Sequence, residues 1–292
     1  MIDKNAQTLI NPQSGNLAFK IYGFSNNSCF DHVQRFNYYT LVWLQEGKGT
    51  LRADFSEYTF EGGTLFAFAP YQPFMFQEKG GFKGMVINFH PDFFCIYKHH
   101  EEVSCNGVLF NNIYDAPFVK VDVGAAHTFT MLFDQMKQEM QKARMAQQEL
   151  LVSYLKIFLI TASRLKAEAE NGNVSVNLEK EPFVLQHLKE NIEKHYRQKR
   201  LLSEYADMLH ITPKALGKII KNHFNKTFTN LISERIVIEA KRELFLTNKP
   251  VKEIAFELGF DDEHYFSRYF KNSAEVSPQL FRDSLGGIQG RA

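Results

Sequence analysis

The stretch "EIAFELGFDDEHYFSRYFK", Glu253 to Lys271, decides how this chain is read. It opens with a helix's apolar period and is broken at Gly259. A second helical period follows, crowded with aromatics and ending basic. An upstream stretch, "EYADMLHITPKALGKIIK" (204–221), has the same grammar. Each holds Glu-x-Ala, a Leu three residues after that Ala, a tight turn, a polar N-cap and a second helix. Ala206 and Ala255 are 49 apart, whereas Leu216/Phe266 and Ile220/Phe270 are 50 apart, so the second unit has one extra residue in its turn. A small residue in the first helix lets the second cross closely, the arrangement of a helix-turn-helix. Thr212 and Asp261 are the expected caps of the second helices. Gly259 suits a turn position at positive φ, and His210 takes the matching place at higher steric cost.

If Leu216 and Ile220 face the core, Lys214, Lys218 and Lys221 face outward. If Phe266 and Phe270 do the same, the outward positions are His264, Arg268 and Lys271. One such stripe alone reads equally well as a solvated helix face. Its repetition in a matched unit is what two adjacent major-groove contacts require. The expected DNA-contacting set is therefore Lys214, Ala215, Lys218 and Lys221 on the first helix, and Glu263, His264, Ser267, Arg268 and Lys271 on the second. Asp261 and Asp262 sit at the positive end of the helix dipole, and Glu263 faces a cytosine amine or solvent. The aromatics Phe256, Phe260, Tyr265, Phe266, Tyr269 and Phe270 are expected in the core.

Residues 200–285 resemble the DNA-binding domain of AraC/XylS-family transcription regulators. "EIAFELGF", "HYFSRYFK", "VSPQLFR" (276–282) and "ISERIVIEAKREL" carry the resemblance. It implies two helix-turn-helix units joined by a long helix, here about residues 231–247, and double-stranded promoter or operator DNA as partner. RNA polymerase is a further partner open to such a regulator. A glycine usual after each recognition helix is Asn225 in the first unit and Glu275 in the second. Asn adopts the left-handed conformation readily and Glu does not, so a different local turn is expected at Glu275.

The rest of the 292-residue chain is organised around this domain. From about Asn16 to Val123, apolar and polar residues alternate between the turns "EGKG", "EGG", "PYQP" and "KGG", which reads as short strands in a sandwich or small barrel. This zone is similar to the family's cupin-like effector domain. Arg35, Tyr38, Tyr39, Trp43 and Arg52 are the candidates to line an effector pocket, for a sugar stacked on a ring or a flat apolar metabolite. Metal-dependent cupins need clustered histidines. "FNYYTLVWLQEGKG" has no His-x-His, Phe74 stands where a histidine is common, and His32 and His90 are isolated, so no metal or other cofactor is expected. Phe129, Leu132, Phe133, Met136 and Met140, then Leu151, Leu155, Phe158, Ala162 and Leu165, mark two amphipathic helices. Their long apolar stripes suggest a homodimer seam, with cover for the barrel as the alternative.

The expected fold class is thus α+β: a cupin-like barrel (1–123), a helical dimerisation segment (124–170), a linker "ENGNVSVNLEKEP" (171–182 with its first residue at 170), and an all-α DNA-binding domain (183–292). Charge agrees mildly with this division. Residues 173–292 carry 19 basic and 16 acidic residues, net +3, and the first 172 carry 15 and 17, net −2. Cys29, Cys95 and Cys105 share no metal-type or disulfide-framework spacing. "MIDKNAQTLINPQSG" has no signal-peptide pattern and the longest apolar run, "IFLITA", is too short to span a bilayer, so a cytoplasmic protein with no membrane partner is expected. A cupin-type metal enzyme would need ligands or a nucleophile with a base, and an architectural DNA binder a stronger positive field than net +1. A sequence-specific, effector-controlled regulator that is not an enzyme fits better.

Overall fold

A computed structural model describes residues 6–99, 108–141, 144–176 and 183–285, with the backbone alone for 170–176. Cys105 lies outside the described residues. The chain forms two compact units, one of Met1–Asn112 with Ala116–Gly172, the other of Ile113–Asp115 with Asn173–Ala292.

The first unit is built on one antiparallel sheet. Its strands are β1 (Gln7–Ile10), β2 (Leu17–Phe24), β3 (Tyr39–Ala53), β4 (Ser56–Glu61), β5 (Thr64–Phe68), β6 (Phe74–Phe89) and β7 (Phe118–Lys120). They run in the order β1-β2-β6-β3-β5-β7, with β4 paired to β3. Among the described residues the path runs from β1 to β7, and the sheet curls on itself as the expected barrel-like layer. β3 and β6 pair along nearly their whole length, with register shifts between Leu44 and Gly49 that bend both strands.

Both faces of the sheet are buried, and the alternation of side chains sorts them. Val42, Leu44, Phe66, Phe68, Phe74, Phe76, Phe82 and Val86 pack inside the curl with Phe24, Phe30 and Phe60. Tyr39, Leu41, Trp43, Leu65, Ile87 and Phe89 face the other way, onto helices α1 (Val123–Glu139) and α2 (Gln147–Val176). The apolar stripes of those helices are consumed there: Leu155 is 0% and Phe158 2% exposed, with the Phe158 ring 4.1 Å from that of Phe129. Phe129, Leu132, Phe133, Met136, Leu151, Leu155, Phe158 and Ala162 thus cover the sheet, the role named above as the alternative to a dimer seam. α2 also runs through Val176, so residues 170–176 of the expected linker are helical, and 177–182 lie outside the described residues.

The second unit is all-helical apart from its upstream residues. Its elements are α3 (Phe183–His195), α4 (Leu202–Met208), α5 (Pro213–Phe224), α6 (Phe228–Leu246), α7 (Val251–Glu257), α8 (Glu263–Ala274) and α9 (Pro278–Ser284). Helices α4 and α5 form the first helix-turn-helix and α7 and α8 the second, with α6 as the long connection.

Candidate nucleic-acid interface

The two turns have the same backbone. His210 and Gly259 are both left-handed, at φ 55° and 78°. In each unit the next residue's N–H donates to the alanine carbonyl five residues back, Ile211 to Ala206 and Phe260 to Ala255, both at 3.0 Å. This is a Schellman-type closure of a short helix, and it throws the following helix across the first. Thr212 caps α5 by accepting from Ala215 N at 3.2 Å. Asp262, and not the expected Asp261, caps α8 by accepting from Tyr265 N. The inserted residue of the second turn is Asp261, which shifts the cap by one position.

Leu216, Ile220 and Phe224 are buried on α5, as are Phe266, Phe270 and Ala274 on α8. The opposite faces carry the expected stripes. Lys214, Ala215, Lys218 and Lys221 are exposed on α5, and His264, Arg268 and Lys271 on α8, with Glu263 and Ser267 partly covered. Lys221 leans back along its own helix, its Nζ 3.4 Å from Asn225 O. Two of the aromatics expected in the core are not there: Phe256 and Tyr265 are each 51% exposed. Their positions lie off the buried stripe of their helices, which aromatic content alone does not reveal.

Both recognition helices end in the left-handed conformation, Asn225 at φ 54° and Glu275 at φ 61°. The different turn expected at Glu275 is not seen. The fold imposes the geometry on a residue that suits it poorly, and the Glu275 N–H donates to Lys271 O at 2.7 Å.

The frame holding the helices is largely ionic. Glu239 of α6, almost fully buried, accepts from Arg197, Arg235 and Arg242 at 3.3, 3.0 and 3.0 Å. Arg235 also donates to Glu193 of α3 at 2.8 Å and lies over the Tyr196 ring. Arg200 links the two readers: it donates to Leu258 O at 2.9 Å and Gly259 O at 2.8 Å, and its guanidinium stacks 3.9 Å over the Phe260 ring. A Cβ at Gly259 would collide with the Arg197 carbonyl oxygen. Glu204 closes the start of α4 by accepting from the Leu201 and Arg200 N–H groups, and those bonds, the Leu201 one foremost, hold its carboxyl below the usual carboxylate range.

In the first unit the five candidate effector residues are not brought together. Tyr39 and Trp43 fill the layer between sheet and helices, Trp43 edge-on to Phe129 at 5.7 Å. Arg52 is exposed on the face opposite Leu51 and Ala53, and Arg35 is half-buried. Tyr38 is half-buried and stacks on Phe36 at 4.8 Å, and burial pushes its phenol up to about 12. The sequence reading missed a polar cluster inside the curl. Thr40 and Asn88 stand directly opposite each other on β3 and β6, both fully buried. Thr40 Oγ1 and Asn88 Oδ1 have no hydrogen-bond partner among the described residues, and the buried Tyr22 of β2 belongs to the same inner layer. The signal was a lone Thr in "YYTLVWL" and a lone Asn in "VINF". Among the described residues no three His, Cys, Asp or Glu side chains gather as metal ligands, and no helix is long and apolar enough to cross a membrane.

Two matched helix-turn-helix units after a curled antiparallel sheet define a two-domain α+β protein of the DNA-binding helix-turn-helix class. A family model described as "AraC-like ligand binding domain" matches residues 15–155, and one described as "Helix-turn-helix domain" matches 205–284. With both domains in this order, the chain belongs to the AraC/XylS family of transcriptional regulators. Among similar proteins is YfiF of Bacillus subtilis (strain 168), an uncharacterized HTH-type transcriptional regulator, 30% identical over 133 residues, covering 46% of this chain and 40% of that one. The HTH-type transcriptional activator RhaS of Mannheimia succiniciproducens is 28% identical over 127 residues, covering 43% of this chain and 46% of that one. The solved C-terminal domain of AraT, a response regulator from Geobacillus stearothermophilus, is 31% identical, covering 38% of this chain and 91% of that one, with a TM-score of 0.36. The chain spans less than half the length of the two curated relatives.

Proposed function

We propose that the protein is a sequence-specific DNA-binding transcription regulator whose sheet domain binds a small molecule and thereby controls binding by the two helix-turn-helix units. The observation that carries this reading is the duplicated basic face, Lys214/Lys218/Lys221 and His264/Arg268/Lys271, exposed on two helices of matched geometry. Phosphate contacts supply affinity and a few base-edge contacts supply selectivity. Lys214 and Lys218 on the first helix, and His264 and Arg268 on the second, stand where base edges are met, with Ala215, Ser267 and Glu263 beside them. α6 sets the separation of the readers, so the two contacted segments lie about 10 base pairs apart on one face of the duplex.

The buried Thr40, Asn88 and Tyr22 cluster, inside a phenylalanine-lined curl, supports a mostly apolar effector with one or two hydroxyl or carbonyl groups. A homodimer fits the outward faces of α1 and α2, where Met131, Leu150 and Ile157 are exposed. Those faces replace the covered stripes as the seam. The protein acts in the cytoplasm and carries no catalytic step. Binding-site selection from random duplexes, with genomic profiling in the presence and absence of sugars and other metabolites that raise the chain's melting temperature, tests the reading. Selection of no motif at any salt concentration overturns it.

A further inference from the structure

We infer that Ile113–Asp115 is a built-in clasp on the first helix-turn-helix unit, and that its docking sets how firmly the first recognition helix is held. These three residues belong to the second unit, although Asn112 and Ala116 on either side of them belong to the first. Three contacts of the Tyr114 side chain and one main-chain contact at Ile113 fix them there.

The Lys226 ammonium is buried, with the residue 5% exposed. It donates to the Glu234 carboxylate at 2.7 Å and to the Ile113 carbonyl oxygen at 3.0 Å. A buried ammonium is tolerated only with its donors matched, so the upstream main chain is part of what makes this ion pair workable. The Tyr114 hydroxyl donates to Glu193 at 3.0 Å, and its ring lies 5.8 Å from the Phe224 ring. Lys189 Nζ sits 5.5 Å from the Tyr114 ring and 5.8 Å from the Phe224 ring, within cation–π distance of both. Burial first, then the neighbouring Glu193, pushes the Tyr114 phenol well above its usual range, so it remains a donor.

The place gripped is specific. Phe224 is the last residue of α5, Asn225 is its left-handed cap, and Lys226 immediately precedes Thr227, the cap of α6. The clasp therefore holds the corner between the recognition helix and the long helix. Lys214, Lys218 and Lys221 stay exposed with the clasp in place, so it does not cover the basic face. It acts by stiffening the frame behind that face. The residues of the clasp are followed closely by β7 (Phe118–Lys120), which pairs with β5 of the sheet. The binding arm of the test below rests on the function proposed above, whereas the clasp itself does not.

Hydrogen exchange of the full chain tests the clasp without DNA or effector. In Tyr114→Ala the amides of residues 220–232 should exchange about tenfold faster than in wild type, and in Tyr114→Phe by a smaller factor, because the ring stays and only the donor is lost. Residues 263–274, on the second recognition helix, should keep their rates in both variants. Unchanged exchange at 220–232 in both variants, or an equal acceleration across both recognition helices, overturns the proposal. The second arm uses a duplex selected by the wild-type chain from a random pool. Tyr114→Ala should bind it at least about fivefold more weakly, and unchanged affinity overturns the link from clasp to reader. Failure of the wild-type chain to select any duplex counts against DNA binding and leaves the exchange result to judge the clasp.

Discussion

Thr212 and Asp262 stand in the same place in the two readers, each accepting through its side-chain oxygen the backbone N–H three residues further on. Losing either oxygen leaves a helix-start N–H without its partner. Thr212→Ala and Asp262→Ala should each cost about 1 kcal/mol of stability, with Asp262 the larger because its charge also meets the helix dipole. Asp261→Ala, at the exposed inserted position, should change little. Urea unfolding of the three variants, followed by far-ultraviolet circular dichroism, checks the ranking.

Glu275 holds a left-handed backbone at φ 61° that a side chain with a Cβ adopts at a cost. Glu275→Gly should therefore raise stability by about 1 kcal/mol, and Asn225→Gly by only a few tenths because Asn tolerates this region better. The melting temperature of the helical unit, compared between the two variants, is the measurement.

On α8, Arg268 is placed for a base edge and Lys271, one turn later, for phosphate. An arginine can grip guanine with two hydrogen bonds, so Arg268→Ala should cost about 1–3 kcal/mol and relax preference at one or two base pairs. Lys271→Ala should weaken binding evenly across sequences and flatten its salt dependence. The acids beside α8 reduce its pull on DNA, so the first reader should dominate affinity. Binding-site selection with each variant at two salt concentrations separates the roles. A motif untouched by Arg268→Ala but rewritten by Lys271→Ala reverses them.

Glu204 carries a pH dependence of definite sign. Its folded carboxyl is held low by the Leu201 and Arg200 N–H groups. Its contribution is thus full above the unfolded carboxylate value of about 4.3 and is lost as pH falls through the lower folded value. Glu204→Gln keeps an acceptor but not the charge. The variant should melt below wild type at pH 7, and the gap should close as the pH is taken from 5 to 3 in a thermal series.

The periodicity of 204–221 and 253–271 made the readers legible, because a helix-turn-helix needs its small residue, its turn and its buried pair at fixed spacings. The outward positions followed from the same period. What a period cannot report is which neighbour covers an apolar face. Leu155 and Phe158 were legible as a stripe, with the lid of the sheet as only one of two readings. The same limit scattered the five effector candidates, since Tyr39 and Trp43 are apolar-facing on either side of the sheet until the curl is known. β1 (Gln7–Ile10) escaped notice because four residues before a loop carry almost no alternation. Thr40 and Asn88 become a pair only through the β3–β6 register, which connects positions 48 residues apart.

The Arg200 bridge bears on how such readers diversify. Its guanidinium lies ahead of the first helix-turn-helix yet closes the turn of the second, while the Arg197 carbonyl leaves no space for a side chain at Gly259. The two halves are therefore not interchangeable cassettes. A graft of a foreign second half would need a glycine at 259 and a ring at 260 to accept the host's arginine. A graft of a foreign first half would have to bring residues 197–200 with it, so new specificities should be reached more readily by exchanging exposed side chains on α5 and α8 than by shuffling whole units.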